Sequence, residues 1–112
     1  MKLLTKELRR RLPALYSTEH TNLDAKIVHC SFFTPDSSWT WLAVEGEPVI
    51  EDGQEVDFRF FGYVIGPTPE WGYFHLSELA AARGPMRLPI ERDRHFATGR
   101  FGEVIKRYRS AA

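Results

Sequence analysis

"FFTPDSSWTW" (residues 32–41) decides the fold. Four aromatic residues, Phe32, Phe33, Trp39 and Trp41, flank a polar centre in which Pro35 and Asp36 suit a turn. Aromatic runs on both sides of turn residues predict a hairpin. Working outward, "KIVHCSFF" (26–33) alternates as the first strand and "WTWLAVEGE" (39–47) continues as its partner. "EPVIEDGQEVD" (47–57) reads as a second connection, with Asp52-Gly53 as its turn signal. "DFRFFGYVIG" (57–66) has the clearest strand pattern; a Pro-rich turn, "PTPE", leads from it to a fourth strand, "WGYFHL" (71–76).

Helix signals bracket these strands. Thr5 is the expected N-cap of a short helix that carries Leu8 and Leu12 on one face and ends before Pro13. Ser77 is expected to cap "SELAAAR", which stops at Gly84-Pro85. "MRLPIERDRHF" (86–96) reads as extended or irregular. "GEVIKRYR" (102–109) reads as a terminal helix with Val104, Ile105 and Tyr108 on its apolar side. The expectation is an α+β fold: a four-stranded antiparallel meander with a short N-terminal helix and one or two C-terminal helices. One domain spans 1–112, with 98–112 as a candidate helical tail.

Strand alternation assigns side chains to two faces. Val28, Cys30, Phe32, Leu42, Val44, Phe58, Phe60 and Val64 form the expected core face. His29, Ser31, Trp39, Trp41, Glu45, Arg59, Tyr63, Tyr73 and His75 fall on the other. That second face is aromatic and polar. It is either covered by terminal helices or open for stacking, and Trp39, Trp41, Arg59, Tyr63, Tyr73 and His75 are its candidate binding residues.

The chain has 112 residues, 43% hydrophobic and 27% charged, which fits one ordinary soluble domain able to fold without a metal or disulfide. Cys30 is the only cysteine, so no internal disulfide forms, and a strand cysteine reads as a small buried hydrophobe. No apolar run approaches the ~20 residues of a membrane span. The opening "MKLLTKELRRRLPAL" interrupts its leucines with charges, unlike a secretion signal, so a cytoplasmic location is expected.

A net charge of zero conceals a separation. Residues 1–30 hold six basic and three acidic residues (+3), residues 31–80 hold one and nine (−8), and residues 81–112 hold eight and three (+5). Mutual neutralisation accounts for this; so would a dipolar surface that steers a charged partner. Arg9, Arg10 and Arg11 span about 200° of a helix and read as a solvated surface. The run Glu45, Glu47, Glu51, Asp52, Glu55 and Asp57 reads as a solvated loop, or as an exposed acidic hairpin for a basic partner.

Catalytic patterns are faint. His20, His29, His75 and His95 are scattered without a cysteine pair, so no metal and no cofactor are expected. His29 and Cys30 are adjacent in a strand and point to opposite faces, which rules them out as a nucleophile–base pair there. "RFFGYVIG" (59–66) only partly matches an RNA-recognition strand. "GRFGEVI" (99–105) has the Gly-x-x-Gly spacing of a phosphate-clamping loop. Gly99, Arg100 and Gly102, with Arg92, Arg94, Lys106 and Arg107, are therefore the candidates for a nucleic-acid interface. An enzymatic site would draw on Asp36, Glu91, Asp93 or His95.

The ordered series "MKLLTKEL…LP", "FFTPDSSWTW", "FFGYVIG", "GYFHLSEL", "RGP" and "LPIERD..F" resembles a family of small single-domain bacterial proteins of unknown function, common on plasmids, prophages and integrative elements. The resemblance covers roughly residues 1–97 and implies an accessory role for a mobile element, with no catalytic residues to carry across. The expected function is a non-enzymatic protein that binds a host or element-encoded protein partner, countering host defence as one such role. Nucleic-acid binding through the basic C-terminal third and a small enzyme are the alternatives.

Overall fold

A computed structural model of the chain describes residues 1–109. Helix α1 (Lys6–Arg11) is followed by a 3-10 turn (Leu23–Ala25) and strands β1 (Ile27–Val28), β2 (Cys30–Phe33), β3 (Thr40–Glu51), β4 (Gln54–Ile65) and β5 (Glu70–His75). Helix α2 (Leu76–Ala81), strands β6 (Glu91–Arg92) and β7 (Gly99–Arg100), and helices α3 (Phe101–Val104) and α4 (Lys106–Arg109) complete the order. The main sheet is antiparallel in the order β5-β4-β3-β2-β6, and β1 pairs with β7 in a second, two-stranded sheet. The α+β meander is therefore present, extended by a fifth strand, β6, drawn from the segment read as extended or irregular.

Local chemistry explains the element ends. The Leu8 amide donates to Thr5 Oγ1 at 3.2 Å, so Thr5 caps α1, and Leu12 closes it before Pro13. Six residues are too few for a helix that stands alone; α1 persists because Leu8 and Leu12 are buried against the sheet. Helix α2 begins two residues earlier than Ser77 indicates. His75 is its N-cap, with the His75 amide donating to Glu78 Oε1 at 2.7 Å, while the Ser77 amide and hydroxyl donate to Asp57.

The acidic connection is not a loop. Asp52 and Gly53 both take positive φ (50° and 77°), as a two-residue hairpin turn of the right twist requires, so β3 and β4 run unbroken to Glu51 and from Gln54. Four of its acids act as internal anchors. Glu45 accepts from the Tyr16 amide (2.8 Å) and the Thr18 amide (3.2 Å), and Glu47 accepts from the Leu15 amide (2.9 Å). Glu55 forms a bidentate pair with Arg9, and Asp57 holds Ser77. Arg9 is thus not a free surface charge; its guanidinium also lies 5.1 Å from the Phe58 ring centroid.

Both faces of the sheet are covered. Leu4, Leu8, Leu12, Leu79 and Ile90 pack on Cys30, Phe32, Ala43, Phe58, Phe60 and Phe74. Phe101, Val104 and Ile105 pack with Val28, Leu42 and Val44 on the other face, where Phe61, Tyr63, Trp71 and Tyr108 adjoin them. Full burial of each large apolar side chain contributes about 1.5–3 kcal/mol.

The expected face assignment fails along the start of β3 and at β1. Phe32 pairs directly with Trp41, and Ser31 with Leu42, so Trp41 shares the Phe32 face while Leu42 and Val44 lie opposite. The six residues Thr34–Trp39 set a register one residue from the expected one, which flips every side chain. A bulge between Ala43 and Glu45 then restores Glu45 to the side of Tyr63 and Arg59. Val28 joins Leu42 and Val44 because the strand is interrupted at His29. The candidate tail is not separate: β7 pairs with β1 and α3 fills the second core, while residues past 109 lie outside the described residues.

Candidate functional site

An open cleft of about 580 Å³ lies between the turn at 34–39 and the chain at 91–95, with Ser31, Tyr108 and Met1 completing its lining. One wall is built by the hairpin turn. The Thr34 amide donates to the Trp39 carbonyl (3.1 Å), the Trp39 amide donates to Thr34 Oγ1 (3.0 Å), and the Ser37 amide donates to the Thr34 carbonyl (3.3 Å). This closure sets Trp39, 39% exposed, at the rim, with its ring stacked on Trp41 at 5.9 Å.

The opposite wall descends from β6. Phe33 pairs with Glu91 and Phe32 with Arg92, and the Asp93 amide donates to the Ser31 carbonyl at 2.9 Å. Asp93 Oδ1 then accepts from the His95 amide at 2.9 Å, turning the chain so that Arg94 and His95 reach the cleft. Within the lining, buried Ser31 bonds through its hydroxyl to the Tyr108 hydroxyl at 3.1 Å.

Apart from Asp93, the charged groups of this cleft have no partner within the described chain. Among the described residues, the Glu91 carboxylate, the Arg92 and Arg94 guanidinium groups and the His95 ring have no hydrogen-bond or ion-pair partner. Arg92 Nε is also buried without an acceptor. Buried Glu45 and half-buried Glu47 and Asp57 are paired, whereas half-buried Arg59 shares with Arg92 an Nε that lacks an acceptor.

The candidate binding residues of the aromatic face do not form one site. Trp39 lines the cleft, whereas Trp41 packs against the core that contains Phe32 and Phe60. Tyr63 is covered by Phe101, whose ring lies 5.0 Å from Tyr63 and 4.6 Å from Trp71. The face is therefore closed at its centre. At its far end the Arg59 guanidinium stacks 4.2 Å above Tyr73, which neighbours Tyr16 at 6.1 Å beside a smaller cavity of about 380 Å³. His75 is engaged with Glu78 at 2.9 Å.

The candidate nucleic-acid residues are likewise divided. Arg92 and Arg94 line the cleft with two carboxylates, Glu91 and Asp93. Gly99 and Arg100 are paired with Val28 and Ile27, and the Phe101 amide donates to the Lys26 carbonyl at 2.8 Å. Gly102 sits against Asp24, so the Gly-x-x-Gly segment is packed into the fold rather than projecting as a clamp. Lys106 lies 3.4 Å from Glu103, and Arg107 donates to the Ala97 carbonyl at 2.7 Å. Of the enzymatic candidates, Glu91, Asp93 and His95 share the cleft. Asp36 does not line it: its Oδ2 accepts from the Met86 amide at 2.7 Å and anchors the 84–86 turn.

Two titratable groups are displaced by burial. The Cys30 thiol is pushed up to about 12 by burial, against a smaller pull from Arg92, so it stays a protonated core side chain. His29 is held below the usual imidazole range, first by burial and then by Arg11. Among the described residues no group of His, Cys, Asp and Glu is arranged to hold a metal ion, and no helix is long and apolar enough to cross a membrane.

Sequence patterns missed Ser31 and Tyr108 as cleft partners, because they are 77 positions apart and nothing local marks a contact between them. They also missed the buried Lys26–Glu45 pair (3.8 Å) that supports the 13–21 segment; a lysine just ahead of a strand was its only signal.

The class defined by these features is a small α+β domain with a sheet covered on both faces and a polar, aromatic-walled cleft at the sheet edge. The family model described as "protein of unknown function (DUF2958)" matches residues 3–112, and the chain belongs to that family. No curated protein and no solved structure matched the chain.

Proposed function

We propose that this chain is a non-enzymatic binding protein that engages a protein partner through the cleft between residues 34–39 and 91–95. One observation carries this reading: Glu91, Arg94 and His95 line the cleft beside the Trp39 and Phe33 rings without hydrogen-bond or ion-pair partners among the described residues, and Arg92 adjoins them with an Nε that lacks an acceptor. Glu91 and Arg92 are half-buried, and a half-buried charge without a partner loses hydration that a complementary surface restores on binding; Arg94 and His95 are exposed and available to the same partner. Aromatic and arginine anchors are also the side chains enriched in protein interfaces.

The charge balance favours protein over nucleic acid. Two carboxylates, Glu91 and Asp93, offset Arg92 and Arg94 in the same cleft, which weakens attraction for a polyphosphate. The setting comes from the motif resemblance: an accessory role on a bacterial mobile element, with a host or element-encoded partner, host-defence proteins included. The enzymatic alternative draws support from the shared position of Glu91, Asp93 and His95.

The test uses the wild-type chain and the charge-swapped Glu91→Arg/Arg94→Glu variant as micromolar baits in bacterial lysate, with matched thermal melts. A discrete partner retained by the wild type and lost by the variant is expected. Identical capture by both, or no specific partner, overturns the reading.

A further inference from the structure

Resting on that binding reading, we infer that the partner enters the cleft as an extended segment that adds a strand to the outer edge of β6, placing basic side chains against Glu91 and Asp93 and acidic ones against Arg92. Strand β6 ends the sheet order, so one of its sides has no neighbouring strand. Successive amides of a strand point to opposite sides. The Asp93 amide points inward to the Ser31 carbonyl, and the Arg92 amide points outward, where it donates to Met1 Sδ at 3.2 Å. A thioether is a weak acceptor, and Met1 is 66% exposed. A backbone amide ordinarily takes a carbonyl partner, so the edge carries a donor whose acceptor a peptide carbonyl would outcompete.

Side-chain geometry supplies specificity. Glu91 and Asp93 are two residues apart and share one face, whereas Arg92 points to the other, as its pairing with Phe32 shows. An added strand has the same alternation, so its successive side chains meet carboxylates and a guanidinium in turn. Arg92 Nε, buried and without an acceptor, marks the second of these contacts as incomplete. Met1, which caps the outward Arg92 amide, also lines the cleft of about 580 Å³, so the cleft reaches the edge at which such a segment would pair. A nucleic acid strand has no alternating charge and would meet Glu91 and Asp93 with like charge, so the peptide is the better fit.

The test is a titration of the full chain, labelled with nitrogen-15 and read by amide shifts. The probes are a short peptide of alternating Lys and Asp, a block peptide of the same composition, a backbone N-methylated form of the alternating peptide, and oligo(dT). The alternating peptide is expected to shift the amides of Ser31 and Glu91–Asp93, with Arg92 moving in the direction of a stronger hydrogen bond. N-methylation should weaken binding about tenfold or more, the scale of one or two lost hydrogen bonds. The block peptide should bind more weakly than the alternating one, and Glu91→Lys should reduce affinity for the latter.

Equal shifts from the alternating and N-methylated peptides would overturn strand addition while leaving the cleft as the binding site. Shifts from oligo(dT) alone would overturn it in favour of nucleic acid. No cleft shift from any probe at about 1 mM would overturn it as well; the partner capture described above is then judged separately.

Discussion

Replacing Phe101 by alanine tests whether the second face of the sheet is truly closed. Phe101 is 5% exposed and touches the Trp71 and Tyr63 rings at centroid distances of 4.6 and 5.0 Å. Truncating a buried phenylalanine costs about 3–5 kcal/mol through lost transfer energy and the cavity left behind. The aromatic contacts are already part of that range, since each such pair adds about 0.5–1.5 kcal/mol. A loss of about 4 kcal/mol, at a urea dependence of about 2 kcal/mol per molar, lowers the unfolding midpoint by about 2 M. Tryptophan fluorescence reports the transition directly because Trp71 loses its neighbour. If Phe101 were only a loose cover over an open platform, the loss would stay below about 1 kcal/mol, as at surface positions. That result would refute the closed face and return Tyr63 to the list of exposed binding residues.

Glu45→Gln removes the charge opposite buried Lys26 and puts an amide donor in place of one of the two oxygens that accept from the Tyr16 and Thr18 amides. Breaking such a buried pair costs about 3–5 kcal/mol, and limited proteolysis should show new cleavage within residues 14–21; an unchanged digest would sink this role for Glu45. His29 stays neutral in the fold below the pH at which the unfolded chain protonates it, so stability falls as pH drops through 6.5. Melting temperatures of the wild type should decline between pH 7 and 5 more steeply than those of His29→Gln, and parallel profiles would contradict the burial of the ring. Gly84→Ala places a Cβ within 1.6 Å of Asp36 Oδ1 and should destabilise by about 1–3 kcal/mol in thermal denaturation. Cys30 should resist alkylation at pH 8 until the chain unfolds, as its raised pKa and 2% exposure require.

Much of the fold was legible because its signals are local. The Thr5 cap, the Asp52-Gly53 turn and the alternation around Phe58 and Phe60 each depend on a few adjacent residues, and each is found in the structure. Side-chain parity across the first hairpin was not legible. Pro35 and Asp36 mark a turn without stating that its closing pair is Thr34 with Trp39, and one residue of register decides whether Trp41 or Leu42 faces Phe32. The acidic run misled for a related reason. Composition treats Glu45, Glu47, Glu55 and Asp57 alike as solvated, but their partners, Thr18, Leu15, Arg9 and Ser77, arrive from segments distant in sequence.

The cleft was half visible. Glu91, Asp93 and His95 stand close together in the chain and were candidates on that ground, whereas Ser31 and Tyr108 join them only through tertiary packing. Asp36 was grouped with them by residue type alone; its bond to the Met86 amide turns it away.

Site-specific photo-cross-linking inside bacterial cells tests the cleft as the binding surface most directly. A photoreactive residue replaces exposed Ser38 in the cleft wall or exposed Asp52 at the hairpin tip, each with and without Glu91→Arg. The account predicts one discrete adduct from Ser38 that disappears with Glu91→Arg, and none from Asp52. An adduct from Asp52 with none from Ser38, or one from Ser38 that persists with Glu91→Arg, would contradict it.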